Sequence, residues 1–343
     1  MAYTTINKHS DYFNTLLYTG NGGTNAITGV GFQPDKVWIK DRTGTNNHEI
    51  TDAVRGVNYQ IYPNLTNAQT NAANHLTTFG TDGFTVGSDG ATNTNSSNYV
   101  SWNWKAGNSA GSSNSDGSIS STVSVNTTAG FSIVKWTGSG ANATVGHGLG
   151  VAPKMIMLKN TSEVYGWQVY HVSLGNTKYL SLNNTDAQAT SSQSWNNTSP
   201  TSTVFSVGAS DSNNKSGNTI IAYCFAEKTG YSKFGSYVGN GNTNGPYIYT
   251  GFKPSFVMVK EYANAGRRWV INDNKRDPFN QCTNGLLADG NDAETSGYNF
   301  DHLSNGFKPR TTGSGENASG FQYIYMAFGQ SLVGSNNVPC TAR

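Results

Sequence analysis

The densest group of metal-binding residue types lies in residues 289–294 (DGNDAE), which place three carboxylates within six positions. Carboxylate and carbonyl oxygens in a short glycine-containing loop are the ligands that calcium prefers. The segment lacks the full ligand spacing of an EF-hand loop. We therefore expect no resident metal or other cofactor, and we keep Asp289, Asp292 and Glu294 as a calcium candidate only.

Residues for acid–base or nucleophilic catalysis are sparse. The chain has 20 acidic residues and 6 histidines, and none lies in a Gly-x-Ser-x-Gly, His-Glu-x-x-His or phosphate-loop motif. His147 lies in a Gly-His-Gly turn with no carboxylate near it in the sequence, so we expect it to bond to the backbone. A glycan depolymerase would need paired carboxylates about 5–10 Å apart in a cleft. We predict that the protein is not an enzyme.

Aromatic residues offer a different chemistry, because Trp and Tyr stack on sugar rings and anchor protein interfaces. Most of the tryptophans fall at recurring landmarks of the sequence, and we expect these in the core. Trp167, Trp269 and Tyr262 are the candidate contacts to a glycan or a protein partner.

Three copies of one sequence pattern position these residues. A turn signature, an aromatic residue followed by x-Gly-x-Gly, recurs at residues 18–22, 136–140 and 237–241. A proline follows each turn, and an aromatic-rich closing strand ends 70 to 74 residues after that proline. The constant order and nearly constant spacing indicate an internal repeat.

A lysine recurs six residues after each of these prolines, at Lys40, Lys159 and Lys260. A ligand contact shared by the three copies is one interpretation. We expect instead that these lysines lie in solvent at strand ends, where a charge opposes unwanted edge pairing.

The repeat predicts an N-terminal arm at 1–11, β-modules at 12–107, 130–228 and 231–332, a Gly/Ser/Asn-rich linker at 108–129 and a C-terminal arm at 333–343. The linker composition indicates a flexible connection, whereas the second and third modules should pack together. Apolar segments of about 4–8 residues between Asn-Gly, Asp-Gly and Ser-Gly pairs are typical of strands and turns. We predict an all-β, mostly antiparallel fold of three tandem β-sandwich-like modules of about 100 residues each.

Composition excludes several classes of partner. A net charge of +2 without a basic stripe argues against nucleic acid. The first residues lack the basic and apolar regions of a signal peptide, and the apolar runs fall far short of the ~20 residues that span a bilayer. We expect a product of the cytoplasm with no membrane insertion. The three widely spaced cysteines, Cys224, Cys282 and Cys340, are expected to be free thiols.

Four passages resemble a family of virion structural or tail-fibre-like proteins with tandem β-modules from tailed bacteriophages of marine bacteria. They are residues 32–40 (FQPDKVWIK), 141–154 (ANATVGHGLGVAPK), 223–228 (YCFAEK) and 338–343 (VPCTAR). The resemblance covers essentially the whole chain. It implies a structural protein on the outside of a phage virion, made in the host cytoplasm, and it carries over no catalytic residues.

We therefore expect a virion surface structural protein, similar to a tail fibre or tail appendage, that serves attachment or assembly. Its partners would be other virion proteins of the tail or capsid, together with host surface glycan. A capsid decoration protein is the alternative within the same class, and a lectin-like glycan-binding adhesin is the alternative from another class. A homo-oligomer is left open, because no heptad or triple-helix segment enforces one.

Overall fold

A computed structural model describes residues 3–333 of the chain. The protein is all-β and mostly antiparallel, which confirms the predicted fold class, with 43% of residues in strands and 5% in helices. The helical elements are a 3₁₀ turn at His9–Asp11 and three single turns, α1 (Gly90–Asn93), α2 (Ser192–Trp195) and α3 (Asp211–Asn214). The predicted C-terminal arm beyond Val333, including Cys340, lies outside the described residues.

The strands follow one another along the chain in three groups. The first group is β1 (Phe13–Thr19), β2 (Asn25–Thr28), β3 (Lys36–Asp41), β4 (Glu49–Asp52), β5 (Tyr59–Gln60), β6 (Thr70–Asn71), β7 (Leu76–Gly80), β8 (Gly83–Val86) and β9 (Asn98–Trp104). The second is β10 (Ser112–Asn114), β11 (Ser121–Asn126), β12 (Phe131–Thr137), β13 (Ala143–Gly146), β14 (Met155–Asn160), β15 (Gln168–His171), β16 (Lys178–Tyr179), β17 (Ala189–Thr190), β18 (Val204–Val207) and β19 (Thr219–Phe225). The third is β20 (Ser232–Val238), β21 (Ile248–Tyr249), β22 (Lys253–Glu261), β23 (Trp269–Asp273), β24 (Cys282–Leu287), β25 (Thr295–Leu303), β26 (Gly306–Pro309) and β27 (Gln322–Gln330).

One four-strand order occurs three times. It is β1-β9-β3-β4 in sheet 1, β12-β19-β14-β15 in sheet 2 and β20-β27-β22-β23 in sheet 3, with antiparallel neighbours throughout. These strands come from residues 12–107, 130–228 and 231–332, which we call repeats 1, 2 and 3. Sheet 3 continues through β24, β25 and β26 to β21, so that its eight strands form a nearly closed barrel.

Strand register defines which residues are equivalent in the three repeats. Lys36 lies opposite Trp104 in sheet 1, Met155 lies opposite Phe225 in sheet 2, and Phe256 lies opposite Phe328 in sheet 3. The next strand of each sheet extends the alignment, so that Asp52, His171 and Asp273 are also equivalent.

The central strands of the main sheets are buried on both faces. Along β3, Trp38 joins a core to which all three sheets contribute, which we call the shared core, whereas Val37 and Ile39 join a core of repeat 1 alone. Strands β14 and β22 alternate in the same way between the shared core and the cores of repeats 2 and 3. Successive side chains of a strand point to opposite faces. A strand that is apolar throughout can therefore supply two cores at once.

Each repeat adds a second, smaller layer over the outer face of its main sheet. This layer is β2-β8-β7 in repeat 1, β13-β18 in repeat 2 and β21-β26, with β25, in repeat 3. Ile27, Val145 and Ile248 from these layers lie in the separate cores of their repeats. Each repeat is thus a two-layered unit, and the three units meet at the shared core.

Residues 108–129 are not a flexible linker, and that prediction was wrong. They contain β10 and β11, which extend sheet 2 beyond β12. The partner strands override the Gly/Ser composition, because β12 pairs with β11 along its whole length and β10 pairs with its first three residues. Repeat 1 also contributes to the shared core, so it is packed against its neighbours rather than tethered to them.

The predicted N-terminal arm is docked on its own chain where it is described. Ile6 is buried in the shared core. The backbone N–H of His9 donates to Gln330 Oε1 at 3.0 Å, and Gln330 Nε2 donates to the carbonyl oxygen of Asn7 at 3.0 Å. Residues 3–11 therefore pack against β27. No helix in residues 3–333 has the length and apolar character needed to cross a membrane.

Candidate functional site

Trp167 and Trp269 occupy one repeat position, and both join their own repeat to the next one. The indole Nε1 of Trp167 donates to the carbonyl oxygen of Tyr62 in repeat 1 at 2.9 Å. The indole Nε1 of Trp269 donates to the carbonyl oxygen of Ser181 in repeat 2, also at 2.9 Å. Repeat 2 is thus bonded to repeat 1, and repeat 3 to repeat 2.

His48 lies at the equivalent position of repeat 1 and joins repeat 1 to repeat 3. Its Nδ1 accepts a hydrogen bond from Trp38 Nε1 at 2.9 Å, so Nε2 carries the proton and donates to the carbonyl oxygen of Leu287 in repeat 3 at 3.0 Å. Burial lowers the pKa of His48 well below its usual value, which keeps the ring neutral. The three repeats therefore form a closed ring with approximate threefold symmetry.

The prediction that Trp167 and Trp269 are open to a glycan or protein partner was wrong. Their side chains are 0% and 1% exposed and belong to the shared core. Tyr262 is half-buried against the same core and donates its hydroxyl to Gln322. Of the three predicted contacts, only Tyr262 has a surface that a partner could reach.

A second set of buried side chains reinforces two of the junctions. Asp52 Oδ2 accepts from the hydroxyl of Tyr223 in repeat 2 at 2.7 Å, and Asp273 Oδ2 accepts from Trp102 Nε1 in repeat 1 at 3.1 Å. Each aspartate also forms a buried ion pair at 2.6 Å with the arginine three residues later. Burial alone would raise the pKa of Asp273, but the charge and hydrogen bonds of that arginine lower it overall.

Repeat 2 completes this second set without an ion pair. His171 takes the position of the two aspartates, and Leu174 takes that of the two arginines. His171 Nδ1 accepts from the backbone N–H of Ser173, so Nε2 donates to the carbonyl oxygen of Tyr325 in repeat 3 at 3.2 Å. Burial lowers the pKa of His171 to about 4. The junction between repeats 2 and 3 therefore uses a neutral imidazole where the other two junctions use an ion-paired aspartate.

The recurring lysines are buried, contrary to the prediction of exposed strand ends. Lys40, Lys159 and Lys260 are all fully enclosed, and each ammonium donates to backbone carbonyls of the following loop. Lys159 also donates to the carbonyl oxygen of Thr66 in repeat 1 at 2.9 Å. Burial lowers the pKa of each of these lysines to about 8. Their recurring role is to satisfy loop carbonyls that would otherwise lack donors.

Lys36 places an amine in the shared core where the other repeats have Met155 and Phe256. Its Nζ lies 3.8 Å from the centre of the Trp104 ring and 4.9 Å from the ring centres of Trp38 and Tyr223. Burial lowers its pKa well below the usual value. Aromatic faces attract a cation, which accounts for the position of this amine.

The three carboxylates of the calcium candidate form ion pairs with arginines. Asp289 and Asp292 accept from Arg268 at 2.7 and 3.0 Å. Glu294 accepts from Arg276 and from Arg42 of repeat 1, at 3.1 and 2.8 Å. Guanidinium groups thus neutralise the carboxylates, and Glu294 links repeat 3 to repeat 1.

One other group brings three potential metal ligands together. Glu49, His75 and Asp89 place a ligand atom each within 4.8 Å of one another. His75 Nδ1 lies 2.6 Å from Glu49 and Nε2 lies 3.1 Å from Asp89, so its two nitrogens serve two different carboxylates. This geometry is that of a carboxylate–imidazole–carboxylate link between β4 and α1.

A buried asparagine in each repeat holds the Gly-x-Gly turn, and sequence reasoning missed it. Asn214 donates to Ser139 Oγ and to the carbonyl oxygen of Ala141 at 2.8 and 2.7 Å, and accepts from Trp136 Nε1 at 3.2 Å. Asn93 and Asn317 make equivalent bonds. Each asparagine stands eleven residues before the end of the closing strand (93 to 104, 214 to 225, 317 to 328), a regularity that the sequence does contain.

His147 bonds to the backbone, as predicted. Its Nδ1 accepts from the N–H of Leu149 at 3.1 Å, and its Nε2 faces the carbonyl oxygen of Thr201 at 3.2 Å. The thiols of Cys224 and Cys282 are buried. Of the predicted site residues and the recurring lysines, four link one repeat to another, namely Trp167, Trp269, Glu294 and Lys159. The side chains of the others bond within their own repeat.

Comparison with known proteins identifies the family of this ring. No curated protein matches the chain. A family model described as a domain of unknown function (DUF7483) matches residues 8–331, which include every strand of the three repeats. The chain therefore belongs to the DUF7483 family.

Proposed function

We propose that the chain is a surface structural protein of a bacteriophage virion, similar to a tail fibre or tail appendage, with a role in attachment or assembly. The observation that carries the proposal is the closed ring of three repeats, made by His48, Trp167 and Trp269 through bonds to the neighbouring repeats. The family resemblance of the sequence passages supports the same assignment.

A ring of this kind suits a symmetric particle. Closed oligomers present the same surface once per subunit, and this chain presents three similar surfaces without a second copy. Such a body can seat on a threefold partner, for example the end of a trimeric fibre, with each repeat facing one partner subunit. The chain is low in charge and rich in Asn, Ser, Thr and Gly, which suits contact with polar, uncharged ligands.

The buried ion pairs and the recurring lysines support a role other than catalysis. The junction aspartates, the three recurring lysines and the acidic segment 289–294 are engaged in ion pairs or backbone hydrogen bonds. Groups committed in this way hold the fold together, and they are not free to exchange protons with a substrate.

Quantitative mass spectrometry of gradient-purified particles tests the proposal. We expect the chain to co-purify with the virion at tens of copies per particle, as a tail component. Hundreds of copies would instead favour the capsid decoration protein, because one chain per quasi-threefold position of a shell requires that number. Absence from particles that infect normally would overturn both assignments.

A further inference from the structure

Repeat 3 contains a half-open cavity of about 260 Å³ between glycine-rich loops. Five residues with side chains line it, Arg267, Arg268, Tyr298, Ser314 and Glu316, and glycines of the loops supply the rest of the wall. The loops are anchored: the hydroxyl of Tyr323 donates to the carbonyl oxygen of Ser314 at 3.0 Å. The cavity is thus a fixed feature of the fold.

Glu316 is a buried carboxyl with one unpaired oxygen. The residue is 2% exposed, and its Oε1 has no hydrogen-bond partner. It stands immediately before the recurring buried asparagine, where repeats 1 and 2 have Thr92 and Asn213. Burial raises the pKa of Glu316 to about 8. A buried carboxyl oxygen without a partner is costly, and the other repeats have no carboxyl at this position, so a ligand of the cavity is a reason for its presence.

Arg267 supplies an unused donor on the same cavity. Its Nε is buried without a partner, and its guanidinium carbon lies 5.5 Å from the centre of the Phe321 ring. Arg268 is different, because Asp289 and Asp292 engage it. The residues that line the cavity therefore include one buried carboxyl oxygen and one buried N–H donor without a hydrogen-bond partner.

The charges around the cavity favour a neutral ligand. The guanidinium charges of Arg267 and Arg268 are balanced by Asp289 and Asp292, and Glu316 adds no net charge while it is protonated. The site thus has neither the excess positive charge that would select an anion nor the negative charge that would select a cation.

We infer that this cavity binds one neutral hexopyranose unit. Two adjacent sugar hydroxyls would bond to the carboxyl of Glu316 and to Nε of Arg267, and the ring of Tyr298 would pack on the C–H face of the sugar. The cavity volume lies just below the ~300–1,000 Å³ of sites for drug-sized ligands, which suits a single six-membered ring. The inference deepens the proposed attachment role and rests on it for the biological source of the sugar.

Isothermal titration of the full chain with D-glucose, D-galactose and D-mannose tests the inference. We expect saturable binding of at least one of them, with a dissociation constant on the order of 1 mM, as is usual for about twelve ligand atoms. Glucuronate and glucosamine should bind more weakly than the matching neutral sugar. Tighter binding of either charged sugar, or no saturable binding of any neutral hexose, would overturn the inference.

Two variants locate the binding. Glu316→Asn introduces the residue that repeat 2 already buries at this position, so the fold should persist, and we expect the affinity to fall by at least ~10-fold. Glu163→Gln removes an exposed carboxylate of repeat 2 and should bind as the wild type does. Equal affinity of Glu316→Asn and the wild type would place the sugar elsewhere and overturn the inference.

The two proposals fail separately. Absence of the chain from purified particles would overturn the proposed function and leave a measured sugar affinity in place. Absence of sugar binding would overturn the cavity assignment and leave the position on the particle in place.

Discussion

Replacement of Glu316 by Gln should stabilise the protein, by an amount that grows with pH. The carboxyl has a pKa of 4.5 in the unfolded chain and about 8 in the fold, because burial disfavours its ionised form. Below pH 4.5 both states are protonated. Between pH 4.5 and 8 the native state retains a proton that the unfolded chain releases, so the free energy of unfolding falls as pH rises. Above pH 8 the cost is constant.

The size of this effect follows from the span of the pKa change. Each unit of pKa shift changes the free energy of unfolding by about 1.4 kcal/mol. The rise from 4.5 to about 8 therefore destabilises the wild type by at most about 4–5 kcal/mol above pH 8. Glu316→Gln keeps the shape of the side chain and cannot ionise. The variant should therefore match the wild type near pH 4.5 and exceed its stability by up to that amount above pH 8.

Urea denaturation of both proteins between pH 4 and 9 measures the effect. Glu163→Gln is the matched control, because the Glu163 side chain is exposed beside Lys215 and no comparable rise with pH is expected. A Glu316→Gln variant that is less stable than the wild type at pH 9, or a difference that does not change with pH, would refute the reasoning.

Three further perturbations test the links between and within the repeats, each measured by urea denaturation. Arg276→Leu should lower the free energy of unfolding by about 3–5 kcal/mol, because it leaves the buried carboxylate of Asp273 unpaired. Arg310→Leu removes a partly exposed ion pair with Asp301 and should lower it by less than about 1 kcal/mol. Asn214→Ala should lower the free energy of unfolding by about 2–4 kcal/mol, because several polar groups of the turn lose their hydrogen-bond partner. The control Asn142→Ala, at an exposed asparagine, should change it by less than about 0.5 kcal/mol. Equal effects of the two substitutions would contradict the assigned role of Asn214. For His75, burial lowers the pKa, but the hydrogen bond and charge of Glu49, with Asp89, outweigh burial and raise it above 6.5. The stabilisation by His75 is thus complete below pH 6.5 and is lost as pH rises through the raised pKa, so the deficit of His75→Gln should shrink from pH 6 to 9; a constant deficit would contradict this.

The sequence predicts the all-β class well because strand signals are local. Short apolar segments between Gly-containing turns predict strands, and Trp102 and Trp104 do share one face of β9, directed to the shared core. Alternation also explains why β3 can be apolar throughout: Trp38 and its neighbours face two different cores.

The errors concern contacts between distant parts of the chain. Trp167 and Trp269 are buried because another repeat lies over them, and no local pattern reports that neighbour. Lys40 follows an apolar stretch, which is typical of a solvated strand end, yet the next loop folds over its amine and buries it. Residues 108–129 have a linker composition, and only the edge of sheet 2 makes them strands.

The unused groups of repeat 3 show what a repeat alignment can add. Glu316 stands at the repeat position that Thr92 and Asn213 occupy in the other two repeats. Glu316 can ionise, whereas Thr92 and Asn213 cannot. The alignment can therefore flag Glu316 from the sequence. Its burial and the free donor of Arg267 come from the tertiary structure.

Cryo-electron microscopy of the intact particle tests the central claim most directly. We predict a compact density on the outside of the tail, with three similar lobes, into which the closed ring of repeats 1, 2 and 3 fits as one body. A particle whose tail and shell densities are fully explained by other chains, with no three-lobed density left to assign, would contradict the account.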